Sequence, residues 1–253
     1  MIETSQYTKQ FFQDLEDHSY QSAKVVVPLV AKLIRPTSVI DVGCGNGLWL
    51  KVWQEDLQFD NYLGVEGPYL DKEMIRIPPE KIIFRDLKLP LDLSQRFDLV
   101  MSLEVAEHLP ATAADTFIQS LTTLGDIVLF SAALPGQEGT YHINEQYPEY
   151  WAAIFKKYDF VPVDGIRAQI WEHPEVEYWY QQNILLFVKA SQLARYPQLQ
   201  RYAENTQANY LTRIHPVLFG LKRERIRKTT TFFGFLNWKW YMFKRKYLKR
   251  HAK

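Results

Sequence analysis

Short apolar runs of strand length alternate along this chain with longer segments in which apolar residues recur at helical spacing. One of these segments, at 96–103, contains a run of apolar residues, as expected for a strand covered on both faces. The predicted strands cover residues 38–42, 61–66, 81–85, 96–103, 126–131, 160–170 and 183–189. The predicted helices cover residues 7–34, with a kink or restart at Pro28, then 48–55, 112–124 and 145–157. Strands that alternate with helices predict an α/β fold, a parallel sheet with helices on both sides.

The first predicted strand runs into a turn that carries glycines at alternate positions. Because glycine has no Cβ, Gly43, Gly45 and Gly47 let a ligand approach the backbone closely, and the next helix offers it unpaired N–H groups. A phosphate-binding loop would need Lys and then Ser or Thr where Leu48 and Trp49 stand. The glycine spacing is also one residue shorter than the dinucleotide-binding pattern requires. The turn therefore predicts a site for a different cofactor.

The motif Asp-Val-Gly-Cys-Gly-Asn-Gly, from Asp41 to Gly47, resembles the first motif of the class I S-adenosylmethionine-dependent methyltransferases. Glu66 ends the second strand, where that family places an acid that binds both ribose hydroxyls, a task that suits a carboxylate. Asp86 ends the third strand, where the family binds the adenine amino group, and Leu87 would donate its backbone N–H. The cofactor-binding residues that the resemblance implies are Asp41, Gly43, Cys44, Gly45, Gly47, Glu66, Asp86, Leu87, Ser102, Leu103 and Glu104.

The resemblance covers residues 20–190 and also implies the fold. It implies a Rossmann-like, doubly wound sheet of seven strands, mostly parallel, with an antiparallel last strand. Asp98 and the end of the fourth strand, Ser102 to Glu104, are expected to line the methionine end of the cofactor. The family's fourth-strand motif is usually followed by Glu-His and an aliphatic residue, which stand here as Glu107, His108 and Leu109.

Two readings apply to the acids and histidines that follow the fourth and fifth strands. Glu104, Glu107 and His108 fall within one helical turn, and His142 can reach them from the next loop. Two carboxylates and two imidazoles suit a divalent cation such as Mg²⁺, and the arrangement is similar to that of small-RNA 2′-O-methyltransferases and some quinone O-methyltransferases. The alternative is a structural Glu-His pair without a metal. In that case His142 is the first candidate for the general base and His108 the second.

An acceptor site is predicted from aromatic and polar residues around the last two strands. Aromatic rings stack on the apolar face of a sugar while amides bond its hydroxyls, and this combination favours a sugar or polyol. The candidates are Asn144, Arg167, Trp171, Trp179 and Asn183. The alternative is that the aromatic residues form a packing cluster.

Charge divides the chain into an acidic main part and a basic tail. Residues 221–253 hold twelve lysines and arginines against one acid, Glu224, so their net charge is +11 and that of the rest is −10. We predict a methyltransferase domain at 1–192, a helical linker or packing segment at 193–221, and a basic aromatic tail at 222–253. On a helix the tail would align Phe232, Phe235, Leu236, Trp240, Phe243 and Tyr247. Such a tail suits a membrane surface, a nucleic-acid backbone, or docking on the main domain or a second subunit of a homo-oligomer.

Composition sets the remaining limits. The fractions of hydrophobic (47%) and charged (23%) residues are those of a soluble globular protein. A single cysteine, no secretory signal and no apolar segment of spanning length lead us to expect a cytoplasmic protein. We predict a methyltransferase that uses S-adenosylmethionine to methylate a hydroxyl of a glycan or small natural product. The alternatives are an N-methyltransferase of a small metabolite, an RNA 2′-O-methyltransferase and a non-catalytic cofactor-binding partner subunit.

Overall fold

A computed structural model describes residues 9–230 and 236–242 of the chain. Within them, the strands are β1 (Val39–Val42), β2 (Tyr62–Glu66), β3 (Ile82–Phe84), β4 (Leu99–Leu103), β5 (Ile127–Ser131), β6 (Phe160–Val163) and β7 (Leu185–Lys189). The α-helices within residues 9–230 are α1 (Lys9–Ile34), α2 (Leu48–Leu57), α3 (Ala114–Leu124), α4 (Pro148–Lys157), α5 (Arg167–Ile170), α6 (Tyr178–Asn183), α7 (Pro197–Asn205) and α8 (Pro216–Thr230). Helices and strands thus alternate as the sequence pattern predicts.

The strands form one sheet in the order β3-β2-β1-β4-β5-β7-β6. Neighbouring strands from β3 to β5 are parallel, and β7 is antiparallel to both β5 and β6. This confirms the predicted Rossmann-like sheet with its antiparallel last strand. The strand order reverses beside β1, where the chain crosses from β3 to β4. In open α/β sheets ligands bind at such a point, beyond the carboxyl ends of the strands.

Apolar residues cover both faces of the sheet. On one face, strand residues pack with α1 and α2, and Val26, Leu50 and Trp53 are almost fully buried there. On the other face, α3 and α4 contribute Phe117 and Phe155 to a second core layer. Burial on both faces explains why these strands read as apolar runs rather than as alternating patterns.

Two predicted elements differ from the structure. The strand predicted at 160–170 ends at Val163, and Arg167–Ile170 forms a short helix. Ile166 and Ile170, four positions apart, are both buried, which is helical spacing, and the carboxylate of Asp164 binds the Arg167 side chain at the turn. The helix at the N-terminus continues through Pro28 without a restart.

The chain divides into two compact units, Met1–Arg213 and Ile214–Lys253. In the first unit α7 follows the sheet, and an irregular segment continues to its end. In the second unit, α8 and a helical segment at 236–242 are described, and the exposed apolar side chains there include Trp238 and Trp240. Four residues of the predicted aromatic stripe, Phe232, Phe235, Phe243 and Tyr247, lie outside the described residues. No described helix is long and apolar enough to cross a membrane. The predicted boundaries at 192 and 221 remain predictions.

Candidate functional site

The glycine turn after β1 has a left-handed backbone. Gly43 and Gly47 have φ values of +84° and +88°. A Cβ on Gly43 would lie 2.5 Å from the Val105 side chain, so the turn requires glycine there for space as well as for conformation. The N–H groups of Gly43 and Cys44 donate to the carbonyl of Val65 on β2 at 2.8 and 3.1 Å. The turn is therefore fixed against the next strand and opens above the sheet.

Glu66, at the end of β2, is hydrogen-bonded to this turn through its carboxylate. One carboxylate oxygen accepts from the N–H of Gly45 at 2.6 Å, and the other accepts from the N–H of Gly67 at 2.7 Å and the hydroxyl of Tyr69 at 2.8 Å. Burial raises the pKa of Glu66, and these three donors partly offset that rise. Both carboxylate oxygens of Glu66, which the resemblance assigns to the ribose hydroxyls, thus accept hydrogen bonds within the chain.

A cavity of about 360 Å³ extends from the glycine turn to the loop after β5. It brings together ten of the predicted site residues: Asp41, Gly43, Cys44, Gly45, Leu103, Glu104, Glu107, His108, His142 and Trp179. Its lining also includes residues that the sequence analysis did not select: Ser19 from α1, Trp49 from α2, Gln137 from the loop after β5, and Tyr178 and Tyr180 from α6. The side chains of Ser19, Trp49 and Tyr180 join by hydrogen bonds of 3.0 and 3.3 Å, which explains how α1 covers one wall.

Three predicted side chains form the innermost cluster of the cavity. Glu107, His108 and His142 each offer a ligand atom within 4.8 Å of the others. Both carboxylate oxygens of Glu107 and the Nδ1 atom of His108 are buried without a hydrogen-bond partner. Burial and the neighbouring Glu104 raise the pKa of Glu107 well above its usual range. Burial, with His142 nearby, lowers the pKa of His108 to about 4, so that its imidazole is neutral at neutral pH.

Glu104 is held differently from Glu107, by side-chain amides. Its carboxylate accepts from Gln137 Nε2 at 2.7 Å and from Asn183 Nδ2 at 3.1 Å, and Asn183 also donates to Gln137 Oε1 at 2.8 Å. Its backbone has a φ of +54°, which is uncommon outside glycine and marks a position held by its surroundings. Burial raises the pKa of Glu104, and the amide donors oppose the rise.

The loop after β5 is fixed to the cavity by a second carboxylate. Glu145 accepts from the N–H groups of Gly136 and Glu138, both at 2.8 Å, and its Oε1 lies 2.9 Å from Nδ1 of His142. The N–H groups of residues 143 and 144 donate to the carbonyl of Glu107 at 2.9 and 3.0 Å. The loop therefore places His142 beside the cluster, and Asn144 is buried beneath it rather than lining the cavity.

Some predicted residues lie away from the cavity. Arg167 is almost fully buried, and its guanidinium donates to Asp164 and to the carbonyls of Gln182 and Leu211. A buried arginine must pair its charge, and this one does so inside the domain instead of at an acceptor site. Asp98 precedes β4, and its carboxylate accepts from the N–H of Thr37 at 2.7 Å. Because parallel strands direct all their carboxyl ends one way, Asp98 lies at the amino ends of the strands, opposite the cavity. The predicted residues that do not line the cavity are Gly47, Glu66, Asp86, Leu87, Asp98, Ser102, Asn144, Arg167, Trp171 and Asn183.

Asp41 gives the site a testable pH dependence. Burial, with Glu66 nearby, raises its pKa from 3.8 to about 8. The folded chain then holds a proton that the unfolded chain releases near its ordinary pKa, so the stability from this group is present at low pH and is lost as pH rises through about 8. We expect Asp41→Asn to raise the Tm of the cofactor-free protein more at about pH 9 than at about pH 5. Thermal melts at both pH values measure this; an equal difference at the two would contradict it.

Comparisons with known proteins agree on one fold. A protein-family model described as a methyltransferase domain matches residues 15–167. A chain of the complex that contains the Haloferax volcanii Trm112 methyltransferase activator is 13% identical, with a TM-score of 0.53, over 74% of this chain and 96% of that chain. The methyltransferase domain of bacterial CtHen1-C is 20% identical, with a TM-score of 0.50, over 66% and 97%.

Magnesium protoporphyrin IX methyltransferase (ChlM) from Synechocystis PCC 6803 with bound SAM is a third similar structure. It is 20% identical, with a TM-score of 0.47, over 69% of this chain and 82% of that chain. No curated protein matches the chain. At these identities the structural likeness shows the fold alone.

Proposed function

Because this chain belongs to the class I S-adenosylmethionine-dependent methyltransferases, we propose that it methylates a hydroxyl group of a glycan or small natural product. One observation carries the proposal: a single cavity joins the glycine turn that would hold the cofactor to His142 and its neighbouring acids. Methyl transfer from a sulfonium is an in-line displacement with an activated leaving group. The protein must therefore position the acceptor oxygen and remove its proton.

If no metal is bound, the general base in this proposal is His142. Its side chain is only 12% exposed, lines the cavity and stands beside Glu107, with 4.0 Å between Nε2 and Oε1. His108 is the second candidate; its lowered pKa leaves the imidazole unprotonated at neutral pH but makes it a weak base. Trp179 and Tyr178, both half-buried in the cavity lining, offer the aromatic surface on which a sugar ring can stack.

A neutral acceptor suits this cavity better than a phosphorylated one. Among the described residues that line it, four are acids, Asp41, Glu104, Glu107 and Glu138, and none is lysine or arginine. A phosphate inside the cavity would meet these acids and no arginine or lysine partner. This favours a glycan or natural-product hydroxyl over an RNA end whose phosphates enter with it. An amine of a small metabolite is the alternative acceptor, because an amine also tolerates the acidic lining.

We also propose that Glu107, His108 and His142 hold a divalent cation, with Glu104 next to them. The buried ligand atoms of Glu107 and His108 without partners support this, since a bound cation would satisfy them. Carboxylate and imidazole together accept Mg²⁺, Mn²⁺, Fe²⁺ or Zn²⁺. When bound, such a cation supplies Lewis acidity that lowers the pKa of an acceptor hydroxyl.

The experiment is a labelled-methyl transfer screen over neutral sugars, nucleotide-sugars, phenols, amines and RNA, each with and without EDTA. We expect transfer to a neutral polyol or natural-product hydroxyl, and a loss of that transfer in EDTA that Mn²⁺ restores. Transfer to amines alone would show that the acceptor is an amine instead of a hydroxyl. Undiminished transfer in EDTA would show that the reaction needs no divalent cation. S-adenosylmethionine binding without transfer to any acceptor class would favour a non-catalytic partner subunit.

We propose that the basic tail contacts an anionic membrane surface. In α8, Lys222, Arg223, Arg225, Arg227 and Lys228 follow one another closely, and the segment 236–242 exposes Trp238, Trp240 and Tyr241 by 43%, 59% and 50%. Aromatic residues next to basic ones favour the interface of an anionic bilayer.

In flotation assays we expect the chain to rise with phosphatidylserine vesicles but not with phosphatidylcholine vesicles. A Trp238→Ala/Trp240→Ala variant should rise less, and Tyr210→Ala, which removes an exposed aromatic of the main unit, serves as the matched control. Equal flotation of all three would refute the proposal.

A further inference from the structure

Glu145 lies in the loop after β5 and contacts His142. We infer that Glu145 is a positioning residue that fixes the neutral tautomer of His142, with the proton on Nδ1 and the lone pair of Nε2 directed to Glu107 and the cavity. The inference deepens the proposed function and rests on it only for the role given to His142.

The contact with Glu145 determines which nitrogen of the His142 ring carries the proton. Glu145 Oε1 lies 2.9 Å from His142 Nδ1, and an ionised carboxylate can only accept a hydrogen bond. The bond therefore requires a proton on Nδ1. In a neutral imidazole the other nitrogen, Nε2, is then an acceptor, which is the form that a general base or a metal ligand needs.

On the opposite side of the His142 ring, Nε2 faces the cluster. His142 Nε2 lies 4.0 Å from Glu107 Oε1, and the ring packs edge-on against His108 with 5.0 Å between the ring centres. A Cβ on Gly139 would lie 2.2 Å from Nε2, so the absence of a side chain there leaves the nitrogen room. The ring thus has a carboxylate that accepts at Nδ1 and an uncrowded Nε2 facing the cluster.

The Glu145 side chain is itself held in place by hydrogen bonds. Its two oxygens also accept from the N–H groups of Gly136 and Glu138, at 2.8 Å each, so three donors hold one carboxylate. A side chain fixed in this way holds the imidazole in one orientation before cofactor or acceptor arrives. Second-sphere carboxylates that orient a histidine commonly contribute about 10- to 100-fold to metal affinity or activity.

The test is nitrogen-15 NMR of the histidine-labelled full chain at about pH 8, where an ordinary imidazole is neutral. No acceptor, cofactor or metal is needed, so the result does not depend on whether the protein transfers methyl groups. The His142 signals are assigned by their absence in His142→Gln. In the wild type we expect Nδ1 protonated, with a slowly exchanging downfield proton, and Nε2 unprotonated.

Glu145→Ala provides the decisive change. The oxygen that faces His142 Nδ1, Oε1, also accepts from the N–H of Glu138, and the other oxygen accepts from the N–H of Gly136. Removing the carboxylate leaves Nδ1 without this acceptor, so we expect the fixed Nδ1–H form to give way to a mixture of both tautomers. Glu177→Ala is the matched control, because Glu177 pairs with the exposed His18 at 2.7 Å and should leave His142 unchanged. A wild-type Nε2–H tautomer overturns the inference, even if Glu145→Ala fails to fold. An unchanged Nδ1–H tautomer in folded Glu145→Ala also overturns it.

Discussion

Glu66→Gln is expected to weaken the binding of S-adenosylmethionine and of its demethylated product by at least roughly 100-fold. Each hydrogen bond from a ligand to an ionised carboxylate contributes about 1.5–3 kcal/mol, and we assign two ribose hydroxyls to Glu66. The substitution also disturbs the turn, because the N–H groups of Gly45 and Gly67 and the hydroxyl of Tyr69 all donate to this carboxylate. Titration calorimetry with both compounds measures the change.

The control for Glu66→Gln is Glu73→Gln, which neutralises an exposed carboxylate in the loop after β2. It should bind both compounds like the wild type. The thermal melt of Glu66→Gln distinguishes a lost ligand contact from a lost fold. If folded Glu66→Gln bound both compounds with wild-type affinity, the assignment of the ribose to Glu66 would be wrong.

His142→Ala is expected to lower the rate of methyl transfer by about 100- to 1,000-fold while the affinity for S-adenosylmethionine stays the same. A positioned general base contributes about 10²–10⁴-fold, and His142 lines the acceptor side of the cavity rather than the glycine turn. Single-turnover kinetics on the acceptor that the screen identifies separate this loss from product release. Calorimetry on the same preparation checks cofactor binding.

His173→Gln is a suitable companion for His142→Ala, because His173 lies outside the cavity and accepts a backbone hydrogen bond through Nδ1. It should transfer methyl groups at the wild-type rate. Full activity in His142→Ala would remove this histidine from the chemistry. An equal loss in both variants would point to stability instead of catalysis.

The sheet was predictable because its strands are buried on both faces and therefore stand out as apolar runs. The glycine turn was predictable for a similar local reason: positive φ values and close backbone packing restrict residues such as Gly43 to glycine. Within this part of the chain, a few neighbouring residues determine the structure, and the sequence shows them directly. The cluster of Glu107, His108 and His142 followed from topology, because the carboxyl ends of β4 and β5 lie side by side.

The rest depends on partners that are distant in the sequence. Gln137 reaches Glu104 across 33 positions, and Arg167 reaches the carbonyl of Leu211 across 44. An arginine near a cavity and an arginine buried in a structural network read alike in a sequence, because only the distant partners distinguish them. Glu145 is only three positions from His142, but their contact depends on how the loop after β5 folds back, which no periodic pattern in the sequence shows.

The buried Arg167 determines where the chain can be shortened. Besides Asp164, it binds the carbonyl of Leu211, and Arg213 adds a 2.7 Å ion pair to the same aspartate. Glu149 accepts from the N–H groups of Leu211 and Thr212. A fragment cut at residue 192 would keep the Arg167–Asp164 pair but take the Leu211 carbonyl from Arg167, Arg213 from Asp164 and the two N–H donors from Glu149, at a cost of about 1–3 kcal/mol for each buried group left without its partner. A minimal version for crystallography or directed evolution should therefore keep every residue through Arg213.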